Sequence, residues 1–106
     1  MLQITINNTT EYLLLVKKDY ISNNGTKSLL LFMHKTVKIL DYRLNNINVK
    51  NTLVKRLFHK LFDEMIFILE TELDAVNNKK IIKLFEKMIS EFSDWMIEEL
   101  AMINLD

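Results

Sequence analysis

Residues 51–76 read NTLVKRLFHKLFDEMIFILETELDAV, and their pattern is the strongest indication of the fold. Its apolar side chains recur every three or four residues, which is the period of one face of a helix. Val54, Phe58 and Leu61 begin this face, and Met65 and Ile68 continue it. Further apolar residues at 57, 62, 66, 69 and 73 widen it. A helix with so broad an apolar face is expected at the centre of a packed domain.

Two other segments show the same periodicity. Residues 26–44 and residues 79–104 each repeat apolar side chains at spacings of three and four. The chain has one glycine and no proline, so the usual breakers are nearly absent. Four Asn doublets, which begin at positions 7, 23, 45 and 77, separate the periodic segments instead. Asparagine suits this role because it tolerates the left-handed region and caps helix N-termini.

The N-terminal segment has two interpretations. Residues 9–22 are predicted to be a helix, because Asn8 and Glu11 have the spacing of a capping box and apolar residues recur behind them. The alternative is a β-hairpin, in which the alternating residues 1–6 pair with residues 12–16. The predicted fold is therefore all-α: a single domain, residues 1–106, forming a small up-and-down four-helix bundle with a short N-terminal strand or arm.

Composition narrows the classes of function. A chain of 106 residues has room for one domain and little room for a deep pocket. Because it has no cysteine, disulfides, thiol nucleophiles and thiolate metal sites are excluded. Residues 1–10 lack the features of a secretory signal and no apolar run could span a membrane, so a cytoplasmic location without membrane contact is expected. The many Lys, Asn and Ile residues suggest a low-GC microbe, a phage or a mobile element as the source.

The neutral net charge hides a strong segregation of charge. Residues 1–60 hold ten basic and three acidic groups, a net of +7, and residues 61–106 hold four basic and eleven acidic groups, a net of −7. The two long C-terminal helices each begin basic and end acidic. If they pack antiparallel, residues 55–60 would face residues 94–99, and residues 70–74 would face residues 79–83.

Residues that could carry catalysis are scarce. His34 and His59 lie in different helices, and each is expected to be a solvated side chain on a helix face. Ser90 and Ser93 lack the glycine-flanked turn that exposes a nucleophile. The single Gly25 cannot supply a phosphate-binding loop. The sequence therefore predicts neither an enzyme nor a metal or cofactor site.

Nucleic-acid binding is the alternative function. The basic N-terminal half could contact a phosphate backbone, although arginines are few and the acidic half would repel a duplex. The candidate residues are Lys17, Lys18, Lys35, Lys38, Arg43, Lys55 and Arg56.

Binding to another protein is the preferred prediction. Apolar residues around the third and fourth helices exceed what one core needs, and exposed apolar groups mark an interface with a partner protein or in a homodimer. The expected mechanism is occlusion by an apolar strip, with nearby carboxylates setting the register. The predicted residues are Phe67, Trp95, Ile97, Met102, Asp94, Glu98 and Glu99. The size and helix count resemble those of small bacterial immunity proteins and phage-encoded inhibitors, which implies a regulator or inhibitor.

Overall fold

The structure, a computed structural model, describes residues 4–23, 29–71 and 78–105. These residues form four helices: α1 (Ile6–Asn23), α2 (Leu29–Asn45), α3 (Thr52–Thr71) and α4 (Lys79–Leu105). Each helix runs antiparallel to the next, and α4 returns to pack against α1. The predicted all-α bundle is confirmed. The predicted beginning of α2 at residue 26 and the end of α3 at residue 76 fall outside the described residues.

From Ile6 onwards the first segment is helical rather than a hairpin, and residues 1–3 of the predicted N-terminal strand or arm lie outside the described residues. The described residues contain no strand, and Ile4 and Thr5 lead directly into α1. The backbone N–H of Thr5 donates to Asn8 Oδ1 (3.0 Å), and the N–H of Asn8 donates to Thr5 Oγ1 (3.1 Å). This reciprocal pair is a capping box one turn earlier than the predicted Asn8–Glu11 pair. The helix therefore includes Ile6, whose side chain is buried in the core.

The centre of the core is an aromatic cluster between α3 and α4. The rings of Phe58 and Trp95 stack with centroids 5.3 Å apart. Phe92 meets Phe58 and Phe62 edge to face, with centroids 5.2 Å apart in both pairs. The buried face of α3 runs through residues 58, 62, 65 and 69. It is rotated slightly from the predicted face, because Leu61 is 37% exposed at its edge and Phe62 is fully buried in the core.

Asparagine side chains cap two of the helices, and of these only Asn78 belongs to one of the doublets. Asn51 Oδ1 accepts a hydrogen bond from the N–H of Val54 at the start of α3. Asn78 Oδ1 accepts from the N–H groups of Lys80 and Ile81 at the start of α4. Each cap satisfies backbone donors that a helix leaves unpaired. None of the helices in the described ranges combines the length and apolarity needed to cross a membrane.

Candidate interaction surface

An apolar groove runs along the outside of the bundle between α1 and α4. Its wider part encloses about 320 Å³ and its narrower part about 170 Å³. Lys17 lines both parts, so the two depressions adjoin each other along α1 and α4. The lining residues are Thr10, Leu13, Leu14, Val16, Lys17, Tyr20 and Ile21 from α1, and Phe85, Glu86, Ile89, Ser90, Ser93 and Ile97 from α4. We call this feature the α1/α4 groove.

The edges of the groove expose large apolar side chains. Leu14 is 68% exposed and Ile21 is 77% exposed on α1, and Ile97 is 60% exposed on α4. Leu14 and Ile21 are seven residues apart, which places them on the same face of α1. Single exposed apolar residues are common, but three along one groove are typical of a binding surface.

Ser93 is a buried polar residue in the narrower part of the groove. The residue is 6% exposed, and its Oγ has no hydrogen-bond partner among the described residues. A buried hydroxyl without a partner costs about 1–3 kcal/mol. A serine in an α-helix can donate to the carbonyl four residues earlier, yet this one does not. The hydroxyl therefore lies beneath the wall of the groove and lowers the stability of the bundle.

Tyr20 closes the wide end of the groove. Its hydroxyl donates to Glu86 Oε1 at 2.7 Å, and its ring lies near Phe32 and Phe85 with centroid distances of 6.3 and 5.8 Å. Burial, followed by the hydrogen bond to Glu86 and its negative charge, raises the pKa of Tyr20 to about 12. The contact joins α1 to α4 and fixes one end of the groove.

Two residues of the predicted strip are not on the surface. Trp95 is 5% exposed and Glu99 is 0% exposed, so the expectation that they contact a partner is wrong. The Trp95 ring packs in the aromatic cluster, and its Nε1–H donates to Glu99 Oε1 at 3.2 Å. Glu99 Oε2 also accepts from the backbone N–H of Lys50, and Oε1 from that of Asn51, each at 2.9 Å. The carboxylate thus fastens the α2–α3 connection to α4, because burial requires its oxygens to be paired.

The remaining residues of the strip do not form one surface. Ile97 lies in the α1/α4 groove, whereas Phe67, which is 67% exposed, lines a shallow depression on α3. Met102 is half-buried near the end of α4, and its carbonyl accepts from Lys50 Nζ at 3.5 Å. Asp94 and Glu98, also on α4, are exposed as expected.

The predicted basic surface is also divided. Arg43 is half-buried: its guanidinium lies 4.6 Å from the centre of the Tyr12 ring and donates to Asn8 and Thr9. Lys55 Nζ donates to the carbonyl of Ile47 at 3.1 Å. These two cations stabilise the fold, which reduces their availability to a phosphate backbone. The others are exposed: Lys17 and Lys18 on α1, Lys35 and Lys38 on α2, and Arg56 on α3.

The expected pairing of charges between α3 and α4 is not found among the described residues. Instead α3 pairs with α2. His34 Nε2 lies 2.8 Å from Glu70 Oε1, and His59 Nδ1 lies 2.9 Å from Asp41 Oδ1. The hydrogen bond from His34 is the main reason why the pKa of Glu70 is lowered. The predicted match of residues 72–74 with α4 lies outside the described residues.

The histidines differ from their predicted role. Both are about three-quarters buried and have carboxylate partners, rather than being fully solvated. Within the described ranges, no three His, Asp or Glu side chains are grouped as a metal site.

Sequence reasoning missed most of the α1/α4 groove. The exposure of Leu14 and Ile21 was not predicted, because their segment had two interpretations, a helix and a hairpin. Nothing in the sequence around Ser93 indicated that its hydroxyl is buried. A usable signal was present: the run Leu13-Leu14-Leu15-Val16 is wider than one buried stripe, so some of these side chains must face outward. Comparisons with protein-family models, curated proteins and solved structures find no match for this chain.

Proposed function

We propose that this chain is a non-enzymatic protein-binding regulator that acts by occluding a partner protein. The observation that carries the proposal is the α1/α4 groove, with its exposed apolar edges at Leu14, Ile21 and Ile97. Apolar side chains around a concave surface favour binding, because their transfer out of water drives association.

The proposed occupant is an amphipathic helix of the partner. The groove extends along α1 from Thr10 to Ile21, about 17 Å at the helical rise of 1.5 Å per residue. A helix of similar length would place apolar residues at helical spacing into the groove.

Basic residues next to the groove indicate the charge that the partner helix should carry. Lys17 and Lys18 are exposed on α1 between Leu14 and Ile21. A partner helix with carboxylates along the flank that faces α1 would therefore be complementary. Such charge pairs increase the association rate and fix the register more than they add affinity.

Cellular context is part of the same proposal. The Lys-rich, Arg-poor composition supports a chain of a low-GC microbe, a phage or a mobile element. We place its action in the cytoplasm, as an immunity-type or anti-defence inhibitor that covers the working surface of its target.

The test compares matched variants in a pull-down from cells that encode the chain, with nuclease added. Leu14→Glu and Ile97→Glu place a charge in the groove. Leu31→Glu is the control, because Leu31 is 71% exposed on α2 and does not line the groove. The purified partner is then assayed for activity with each variant.

We expect one protein to be retained near stoichiometry by the native chain and by Leu31→Glu. Each groove variant should lose roughly thirtyfold in affinity, as when a central interface anchor is removed, and should no longer inhibit. Equal retention by all the variants would refute the groove as the binding site. Retention that vanishes with nuclease would favour the nucleic-acid alternative.

A further inference from the structure

The outward side of α3 carries apolar residues that the bundle does not cover. Leu53 is 69% exposed, Leu57 is 61% exposed and Phe67 is 67% exposed. The same side bears the exposed Lys60 and Glu64. We call residues 53, 57, 60, 64, 67 and 71 the α3 outer face.

The spacing of the α3 outer face is that of a coiled-coil seam. Its positions are separated by four, three, four, three and four residues, which is the alternation of a heptad. This seam lies opposite the buried face of the same helix at residues 58, 62, 65 and 69. Helix α3 therefore has two faces for packing, and the bundle uses one.

The order of residues along the α3 outer face is self-complementary. If two copies of α3 pair antiparallel through this face, the two-fold axis crosses the outer face at the height of residue 62 along the helix. Residue n of the face in one copy then lies opposite residue 124 − n in the other, as in the a-to-d layers of an antiparallel coiled coil. Leu57 of one copy then meets Phe67 of the other, and Lys60 meets Glu64. Each contact occurs twice, so the pairing has two apolar layers flanking two ion pairs.

The charges on this face support pairing between chains. Among the described residues, neither Lys60 Nζ nor Glu64 makes an ion pair. Within one helix, a Lys four residues before a Glu is the weaker orientation of such a pair. Across the two-fold axis the same two side chains lie opposite each other.

The two flanks of the α3 outer face differ in chemistry. On one flank, Leu61 of one copy would contact Leu61 of the other copy. An apolar cavity of about 170 Å³, which Leu61, Ile68 and Leu84 help to line, lies beside this contact. On the other flank, Asp63 of each copy would approach the two-fold axis, which brings like charges together.

We propose that a second copy of this chain docks antiparallel on the α3 outer face, forming a two-fold symmetric dimer through the Leu57–Phe67 and Lys60–Glu64 layers. This surface is separate from the α1/α4 groove, so each copy keeps its groove free for another protein. The proposal does not depend on the function proposed above.

The test is sedimentation equilibrium over a wide series of concentrations. The native chain should pass from its monomer mass of 12.6 kDa to twice that value as concentration rises. Lys60→Glu and Glu64→Lys each place like charges in both ion-pair layers, and each should weaken dimerisation roughly tenfold or more. Both positions are exposed, and circular dichroism checks that the variants stay folded.

Two rescues make the test specific for this register. The double variant Lys60→Glu with Glu64→Lys restores opposite charges and should dimerise again. An equimolar mixture of the two single variants should form a heterodimer, because every layer between unlike chains is then complementary. In addition, Asp63→Asn should strengthen the native dimer.

Sedimentation equilibrium can also refute the proposed dimer. A native chain that stays monomeric at every concentration refutes it. Single variants that dimerise as the native chain does, or a mixture that stays monomeric, refute the register. If Leu14→Glu abolishes the dimer, dimerisation occurs through the α1/α4 groove instead. The proposed inhibitor function is tested separately, by the pull-down with the groove variants.

Discussion

The buried carboxylate of Glu99 provides the sharpest test of the structure. It accepts the backbone N–H groups of Lys50 and Asn51 and the indole N–H of Trp95. Glu99→Ala removes both acceptor oxygens and leaves all three N–H donors without this partner. Glu99→Gln keeps the shape and one oxygen, but it turns an amide N–H₂ towards one of the backbone donors.

The expected loss in the free energy of unfolding follows from these hydrogen bonds. A hydrogen bond to a charged group contributes about 1.5–3 kcal/mol, and bonds that share one carboxylate are not additive. We therefore expect Glu99→Ala to lower the free energy of unfolding by about 3–5 kcal/mol. Glu99→Gln should lower it by about 2–3 kcal/mol. These losses are large compared with the total stability of about 5–15 kcal/mol for a typical domain.

The assay is urea unfolding followed by tryptophan fluorescence, which reports directly on Trp95. The matched control is Glu98→Gln, because Glu98 is the neighbouring carboxylate and is exposed. That control should change the free energy of unfolding by less than about 0.5 kcal/mol. If Glu99→Gln and Glu98→Gln unfold at the same urea concentration, the buried contacts of Glu99 do not exist as described.

Three other predictions concern stability and titration. Ser93→Ala should raise the free energy of unfolding by about 1 kcal/mol, since it removes a buried hydroxyl without a partner; an unchanged or lower urea midpoint would contradict this. Because the pKa of Tyr20 is raised to about 12 from 10.0, its contribution to stability is present below pH 10 and is lost as the pH rises towards 12. Ultraviolet titration against Tyr20→Phe measures that pKa, and Glu86→Gln should lower it. The pKa of Glu70 is lowered from its ordinary value of 4.5, so its contribution to stability is present above that pH and is lost as the pH falls through the folded-state pKa. NMR titration should show that His34→Ala raises this pKa towards the ordinary value, because the hydrogen bond from His34 is the main cause of the lowering.

Local sequence patterns were sufficient for the helices. The apolar period predicted three long helices close to their observed bounds, and asparagines cap α3 and α4 at Asn51 and Asn78. The N-terminal segment was harder, because alternation at residues 1–6 and helical spacing after residue 9 were both present. The reciprocal bonds of Thr5 and Asn8 favour the helix, and they depend only on neighbouring residues.

The candidate site was less predictable, because exposure is a property of packing. Trp95 and Ile97 are two residues apart on α4, yet one is buried against Phe58 and the other lies open in the α1/α4 groove. Both are large and apolar, so composition alone could not distinguish them. The angle at which α4 meets α3 and α1 decides which side chain enters the core.

The amino-acid sequence was therefore enough to predict the all-α fold class, the bounds of α4 to within one residue and the presence of more apolar surface than one core needs, since each follows from patterns within a few residues. Where that surface lies and which charges pair inside the bundle depend on how the helices pack. Glu99 shows the physical reason: its sequence neighbours resemble those of the exposed Glu98, but it is buried because two backbone N–H groups nearly fifty residues away donate to it. Such a bond depends on how the chain folds back on itself, and no local pattern in the sequence records it.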